Sequence, residues 1–261
     1  MAFTTDGAKA KHKRNKEMYA ALISGNERKV IELCRRIAEG PLHILTIHNA
    51  SVLHMATFNK QKDLVLNLLK ELPQNHSHKL MHQNEVGNTL LHETATSKKM
   101  VPVAGELLRK APELLGIRNF NGETAIFHAA RYGKNDVFRF LDHQINYKVL
   151  ESEGREADRK LFYQRDDNTT ILHISTLSEH FDLALLIATK YEYLVNERDG
   201  DGLPPEDATA IEEDKIHETA LQLAPNLSPS VGAFFLAVVT GGMLVLVAWG
   251  FSLFVICFGS V

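Results

Sequence analysis

Apolar and polar positions recur along this chain in one short phrase. Its clearest copy reads Gly87-Asn88-Thr89-Leu90-Leu91-His92, a small residue followed by a hydroxyl, two apolar residues and a histidine. Glycine permits the positive φ that a tight turn needs, and Thr89 can cap the first free amides of a helix. The pattern therefore predicts a turn that leads directly into a buried helix.

The phrase returns at regular intervals, and the position of Thr89 serves as the marker of each copy. Related copies are Asn49-Ala50-Ser51-Val52-Leu53-His54, Gly122-Glu123-Thr124-Ala125-Ile126-Phe127, Asn168-Thr169-Thr170-Ile171-Leu172-His173 and the degenerate Gly202-Leu203-Pro204. With a first copy that lacks a turn, the markers are Lys16, Ser51, Thr89, Thr124, Thr170 and Pro204, at spacings of 35, 38, 35, 46 and 34 residues. Such a period predicts an array of similar structural units.

A second helix is predicted in each unit, because apolar residues recur there at helical spacing. They are Val30, Ile31, Leu33, Cys34 and Ile37; Leu64, Val65, Leu68, Leu69 and Leu72; Val103, Leu107 and Leu108; Val137, Phe138 and Leu141; and Leu183, Leu186 and Ile187. Gly25 and Gly133 each lie nine residues after their marker, where the two helices would turn. Cys34 lies on the apolar face, so we expect it in the core.

Three copies keep the histidine, as His54, His92 and His173. We expect these side chains, like Thr89, Thr124 and Thr170, to be structural and to hydrogen-bond across adjacent loops. In the copy at Thr124 the place is taken by Phe127, and the polar tie is expected to be missing there.

Two segments fall outside the repeat pattern. Residues 1–15 carry Lys9, Lys11, Lys13 and Arg14 and are predicted to be a disordered basic lead-in, with a nuclear-localisation signal or contact with anionic lipid as alternatives. An insertion at residues 145–160 lengthens one interval, and its second half is densely charged, so we predict a mobile loop.

The end of the sequence has a different character. No charged residue occurs from Pro225 to Val261, and residues 231–258 are almost wholly apolar. About 20 such residues span a hydrocarbon core of about 30 Å, so we predict one transmembrane helix at 231–258 after a linker at 225–230. The alternative is a hydrophobic helix packed on the last repeat.

Composition and motifs give little support to catalysis. The 29 basic and 32 acidic residues leave a net charge of −3, which does not favour nucleic acid. His92-Glu93 begins a zinc-protease motif, but the required second histidine is replaced by Thr96. His76, His78 and His82 lack the spacing of a known zinc site. We therefore expect no enzyme activity, no cofactor and no bound metal.

The motif and the period together resemble the ankyrin-repeat family over residues 16–224. The resemblance implies an all-α fold: a solenoid of about six helix-pair repeats, followed here by the transmembrane helix. The phrases Met18-Tyr19-Ala20-Ala21 and Gly122-Glu123-Thr124-Ala125-Ile126 are similar to the plant accelerated-cell-death and salt-tolerance group of ankyrin membrane proteins. That group has several spans opened by a P-G-G motif, so a form truncated in the membrane region is expected here.

The resemblance implies an adaptor that binds proteins through its hairpin tips and its concave face. Its repeat domain would be cytosolic, its span would lie in the plasma membrane or the endoplasmic reticulum, and its role would be in plant defence or stress signalling. The predicted contact residues are Glu85, Val86, Asn119, Phe120, Asp166 and Asp167. Alternatives are a subunit of an oligomeric channel or transport assembly, and a soluble scaffold with the apolar tail packed on it.

Overall fold

A computed structural model describes residues 3–72, 74–151 and 156–205, and this part of the chain is helical. The α-helices are α1 Phe3–Ile23, α2 Glu27–Arg35, α3 Val52–Phe58, α4 Lys62–Lys70, α5 Leu90–Thr94, α6 Val101–Lys110, α7 Ala125–Arg131, α8 Asn135–Glu151, α9 Glu156–Tyr163, α10 Ile171–Leu177 and α11 Phe181–Lys190. Short 3-10 helices occupy Gly40–Leu42, Gln74–Met81, Lys98–Met100, Pro112–Gly116 and Glu192–Asn196. Over the same ranges there is no β-strand, only isolated bridges from Ile44 to Ser51 and from Gln164 to Thr170.

The chain forms two compact units. The first consists of Met1–His128 and Asp136–Gly154, and the second of Ala129–Asn135 and Arg155–Val261. In the first, α1 packs on α2, α3 packs on both α4 and α5, and α4 packs on α6. The predicted second-helix residues of α2, α4 and α6 form its core, with Val30, Leu64, Leu68, Val103 and Leu107 all fully buried.

The amino-terminal segment is a helix, which corrects the prediction of a disordered lead-in. Helix α1 begins at Phe3 and continues without a break through residue 15 into the first repeat. Met18 and Leu22 near its end are fully buried, and the His43 imidazole lies 2.9 Å from the amide oxygen of Asn15. These contacts hold the second half of the helix, and its exposed lysines belong to residue types with good helix propensity.

The predicted mobile loop at residues 145–160 is also largely helical, apart from residues 152–155, which lie outside the described ranges. Helix α8 continues to Glu151, and α9 starts at Glu156. Leu141, Ile145 and Val149 are all buried, and their spacing of four residues extends the apolar face of α8 by two turns. The prediction was wrong because the charges of residues 151–160 masked this apolar periodicity.

The second unit is built around α10 and α11, which pack against each other. Ile171, Leu172, Leu183 and Ile187 are buried between them. Tyr163 at the end of α9 is also fully buried, and its hydroxyl lies 3.1 Å from the hydroxyl of Tyr191. The pair satisfies two phenol groups that would otherwise be costly to bury.

The turn between the two helices of a repeat uses a left-handed residue. Gly25 and Gly133 adopt φ of +68° and +58°, as their position nine residues after the marker suggested. Lys60 and Glu179 hold the equivalent positions with φ of +59° each, although they have side chains. Four repeats therefore share one turn geometry, and in two of them the sequence lacks the glycine that would indicate this turn.

Residues 206–261 lie outside the described ranges, and so do most of the sixth copy, the linker at 225–230 and the span predicted at 231–258. Among the helices within residues 3–205 that the structure describes, none combines the length and the apolar character needed to cross a bilayer.

Candidate interaction surface

The hairpin turns that precede the first helices all share one backbone geometry. The residue two before each marker is left-handed, with φ between 56° and 79°, at Asn49, Gly87, Gly122, Asn168 and Gly202. At Gly87 and Gly122 the amide donates to the carbonyl three residues earlier, at 2.9 Å in both cases. Glycine or asparagine is favoured here, since both tolerate this conformation.

A polar side chain five residues before the marker holds each of four turns together. The Oδ1 atoms of Asn84, Asn119 and Asp199 each accept two backbone N–H groups of their own turn, at 2.9–3.1 Å. The Thr46 hydroxyl accepts one, from Ala50 at 3.2 Å. These bonds are the local side-chain to backbone contacts expected of Asn, Asp and Thr in turns.

This role corrects one predicted partner-contact residue. Asn119 is only 6% exposed, and its Nδ2 donates to Asn88 Oδ1 at 3.0 Å while its Oδ1 serves the turn. All its polar atoms are thus engaged inside the protein, so it supports the tip without presenting itself to a partner. The recurrence of Asn, Thr or Asp at this position was the available sequence signal.

The marker residues cap the first helices together with the motif histidines. His92 Nδ1 accepts hydrogen bonds from the Thr89 hydroxyl at 2.9 Å and from the Thr89 backbone amide at 3.2 Å. His173 makes the same contacts with Thr170, at 2.8 and 3.2 Å. His54 Nδ1 lies 2.8 Å from the Ser51 hydroxyl. In His92 and His173 the Nδ1 atom is an acceptor, because it receives a backbone N–H, and the proton of the neutral ring therefore lies on Nε2.

The Nε2 atoms of two histidines reach the next turn. His92 Nε2 donates to the Glu123 carbonyl at 2.9 Å, and His173 Nε2 donates to the Leu203 carbonyl at 3.1 Å. In both cases the acceptor directly precedes the next marker. The Nε2 atom of the third motif histidine, His54, makes no direct hydrogen bond.

Burial keeps these rings neutral. It lowers the pKa of His54 to about 4, with a further lowering from His82, and the pKa of His92 to about 3, with a further lowering from His128. The pKa of His173 is also lowered by burial. A charged imidazole would have to be desolvated at these positions. Its second proton, on Nδ1, would also face the hydrogen-bond donors of the neighbouring threonine.

The repeat at Thr124 has no histidine at the place of Phe127, but the next residue, His128, is buried. Phe127 and Thr124 are both buried. His128, one position further along, lies 3.2 Å from Asn119 Nδ2 and 3.3 Å from a carboxylate oxygen of the buried Glu123. This histidine, displaced by one residue, thus contacts the turn of its own repeat, whereas His92 and His173 hydrogen-bond to the next turn.

Backbone hydrogen bonds align the three turns of the first unit tip to tip. The Glu85 amide donates to the His48 carbonyl at 3.0 Å, and the Phe120 amide donates to the Val86 carbonyl at 3.2 Å. Between the same turns the Gln83 side-chain amide donates to the Arg118 carbonyl at 2.9 Å. The tips are therefore fixed relative to one another.

Three apolar side chains project from these aligned tips, and we call Ile47, Val86 and Phe120 the tip row. Ile47 is 94% exposed, Val86 is 49% exposed and Phe120 is 72% exposed. Glu85, also exposed, lies between them with one oxygen 2.5 Å from His48. Two of the three were predicted as contact residues, whereas Ile47 was missed because its turn has no glycine.

The Phe120 ring is oriented by the preceding turn. A Cβ atom at Gly87 would lie 2.4 Å from the Phe120 amide nitrogen and 2.7 Å from the ring atom Cδ1. Gly87 therefore serves two purposes, the left-handed φ and the close approach of Phe120. The ring edge is held by backbone while most of the ring surface stays open to solvent.

The tips of the second unit are acidic. Asp166 and Asp167 are exposed at one turn and Asp201 at the next. Asp167 accepts the Thr169 amide at 3.1 Å and pairs with Arg165, so it also builds its turn. Of the two predicted contact residues at this turn, Asp167 therefore also has a structural role.

Among the residues that the structure describes, no group of three or more His, Cys, Asp or Glu side chains is placed to hold a metal ion. Cys34 is buried, and burial followed by the charge of Glu71 raises the pKa of its thiol to about 12. That thiol is neutral at physiological pH and serves as apolar filling.

Comparison with protein families agrees with the geometry of these turns and helix pairs. A family model described as ankyrin repeats, in three copies, matches residues 53–151. No curated protein matches the chain. The matched segment contains α3 to α8, with the turns at Gly87 and Gly122. This chain therefore carries ankyrin repeats at residues 53–151, and ankyrin repeats constitute a protein–protein interaction module.

Proposed function

We propose that this protein is an adaptor that binds a protein partner on the tip row of Ile47, Val86 and Phe120. The observation that carries the proposal is the alignment of three exposed apolar side chains by hydrogen bonds between their turns. Exposed apolar residues are common singly. A rigid row of them on successive repeats is what a binding surface requires.

Pre-organisation makes the tip row effective. The Phe120 backbone is fixed by the hydrogen bond from its amide to the Val86 carbonyl, and its ring contacts Gly87. Little conformational entropy therefore remains to be lost on binding. Large aromatic side chains in such settings dominate binding energies, and truncating one typically costs more than about 1 kcal/mol. Glu85 and His48 supply a polar rim beside the apolar row.

Site-specific crosslinking in cells tests this surface directly. We expect a photo-crosslinking amino acid in place of Val86 to form a covalent adduct with a second protein. The matched control replaces Leu150, which is exposed to a similar or greater degree on α8, and should give no such adduct. Equal adducts from both positions would mean non-specific contact, and none from Val86 would count against the tip row.

The proposal includes a membrane tether. Residues 225–261 contain no charged residue and include a stretch long enough to span a bilayer. On this account the repeats face the cytosol, and we propose a role in defence or stress signalling, which is what the resemblance to the plant ankyrin membrane group implies. We expect the full chain to sediment with membranes after alkaline washing and a chain ending at Ala224 to remain soluble and folded. Aggregation of the shortened chain would favour a tail packed on the repeats instead.

A further inference from the structure

We propose that the outward face of helix α1 binds an anionic lipid surface. This inference rests on the proposed membrane tether and adds a second contact between the protein and the bilayer. It starts from the finding that the basic amino-terminal segment is helical, since a helix sorts charges onto faces whereas a disordered tail does not.

The inward face of α1 is defined by its contacts. Asn15 meets His43 at 2.9 Å, and Met18 and Leu22 are fully buried. These residues are spaced i, i+3 and i+7, so they share one side of the helix.

The solvent-facing side carries one set of exposed residues. At about 100° per residue, the set falls within an arc of about 120°. Its members are Lys9, His12, Lys13, Lys16, Tyr19, Ala20 and Ile23, and each of them is exposed. We call this set the α1 outer face.

The α1 outer face combines two features of surface-binding helices. Three lysines occupy its first half, and no acidic residue falls within the set. Tyr19 and Ile23 follow in its second half, 46% and 58% exposed. Basic side chains attract anionic headgroups, and exposed aromatic and aliphatic side chains enter the interface between headgroups and acyl chains. The nearby acidic Glu17 pairs with Lys29, 3.1 Å away, and so is drawn toward α2.

An acidic protein segment is the competing ligand. It would match the lysines, but it gives no reason for Tyr19 and Ile23 to stay exposed at the end of the same face. The chargeless stretch in residues 225–261 also makes a bilayer the anionic surface that a tethered chain meets at high effective concentration. The lipid is therefore the better match.

The test uses the full chain reconstituted into vesicles of phosphatidylcholine alone, or with added phosphatidylserine. An amine-reactive reagent labels exposed lysines, and mass spectrometry gives the rate at each position. We expect labelling of Lys9, Lys13 and Lys16 to slow by at least about tenfold in anionic vesicles, because anionic headgroups attract all three lysines and shield them from the reagent. High salt should restore labelling. The exposed Lys98 and Lys99 serve as the internal control.

Two charge-matched variants complete the test. The change Lys9→Glu with Lys13→Glu should abolish the protection of Lys16, whereas Lys98→Glu with Lys99→Glu should leave it intact. Equal labelling of wild-type α1 in both vesicle types would overturn the proposal. So would equal protection by a soluble polyglutamate peptide in neutral vesicles, which would assign the face to an acidic protein.

A vesicle flotation assay distinguishes lipid binding by the α1 outer face from the proposed membrane tether. A chain that floats with neutral vesicles but shows no lysine protection in anionic ones retains the tether and loses the α1 face. A chain that fails to float with neutral vesicles, yet binds anionic vesicles with Lys9, Lys13 and Lys16 protected, retains the face and loses the tether.

Discussion

His92 Nε2 lies 2.9 Å from the carbonyl oxygen of Glu123, the residue directly before the marker Thr124 of the next repeat. Both groups are buried, so neither can exchange this bond for water. The contact therefore joins the first helix of one repeat to the turn of the next, and a side-chain bond of this kind fixes the spacing of repeats more directly than apolar contact can.

Removal of His92 should weaken the first unit. We expect His92→Ala to lower the free energy of unfolding by about 1–3 kcal/mol, because it removes one of the two hydrogen bonds to the Glu123 carbonyl, which also accepts the Asn119 amide, and removes the cap partner of Thr89. Thermal or chemical unfolding followed by circular dichroism measures the change. The control is His48→Ala, at an exposed histidine of the turns, which should alter stability little. Equal losses of stability in both variants would mean that the buried hydrogen bond of His92 contributes no more to stability than the exposed His48 does.

Stability should depend on pH through the buried histidines. Their pKa is lowered from 6.5 to about 4 in His54 and to about 3 in His92. Below pH 6.5 the unfolded chain binds protons that the folded chain does not, so stability is complete above that pH. It falls as pH decreases toward the folded-state values, by about 1.4 kcal/mol per pH unit for each such histidine.

The measurement is the free energy of unfolding between pH 7.5 and pH 5. His92→Gln removes one of the titrating groups and should reduce the slope by about one proton. A wild-type protein whose stability is flat over this interval would contradict the assignment of neutral, buried histidines.

The core and the tip row should respond differently to truncation. Leu91 is fully buried in α5, and Leu91→Ala should cost roughly 2–5 kcal/mol through lost transfer energy and the cavity left behind. Phe120→Ala should change the melting temperature little, because most of its ring already faces solvent. Comparable destabilisation by both changes would show that Phe120 contributes to the core.

The left-handed turn positions offer a stabilising substitution. Glu179 is exposed with φ of +59°, and Glu179→Gly should raise stability by up to about 1 kcal/mol, since glycine adopts this conformation without strain. Gly133→Ala is the matched reverse change. It should be destabilising, because the added Cβ would lie 2.6 Å from the His180 ring. A lower melting temperature for Glu179→Gly would mean that the glutamate side chain makes a stabilising contact there.

The positions of the repeats were predictable because each turn requires particular residue types within a few positions of the chain. Gly87, Gly122 and Gly202 mark left-handed positions, and Thr89 and Thr170 mark helix starts that need a cap. These requirements act within a few residues, so one sequence reveals them. The same logic located the burial of Cys34 and Leu91.

Long-range context decided what the sequence did not reveal. Lys60 and Glu179 accept a left-handed φ because the flanking helices impose it. Asn119 is predicted as a contact residue, but its hydrogen bonds to Asn88 and to its own turn, which depend on three-dimensional packing, leave it buried. His128 contacts its own turn from the position after the motif place. The helices within residues 145–160 were not predicted because most residues there are polar or charged, and only a few, such as the buried Ile145 and Val149, indicate an apolar face.

The central claim is that the tip row binds a protein partner, and quantitative proximity labelling in cells tests it most directly. The full chain is compared with Phe120→Ala and with Phe58→Ala, a matched change at a phenylalanine that is 62% exposed on α3. The account predicts that a set of neighbours enriched by the wild-type chain is lost with Phe120→Ala and kept with Phe58→Ala. An unchanged set with Phe120→Ala, in a protein whose melting temperature is unaltered, would contradict it.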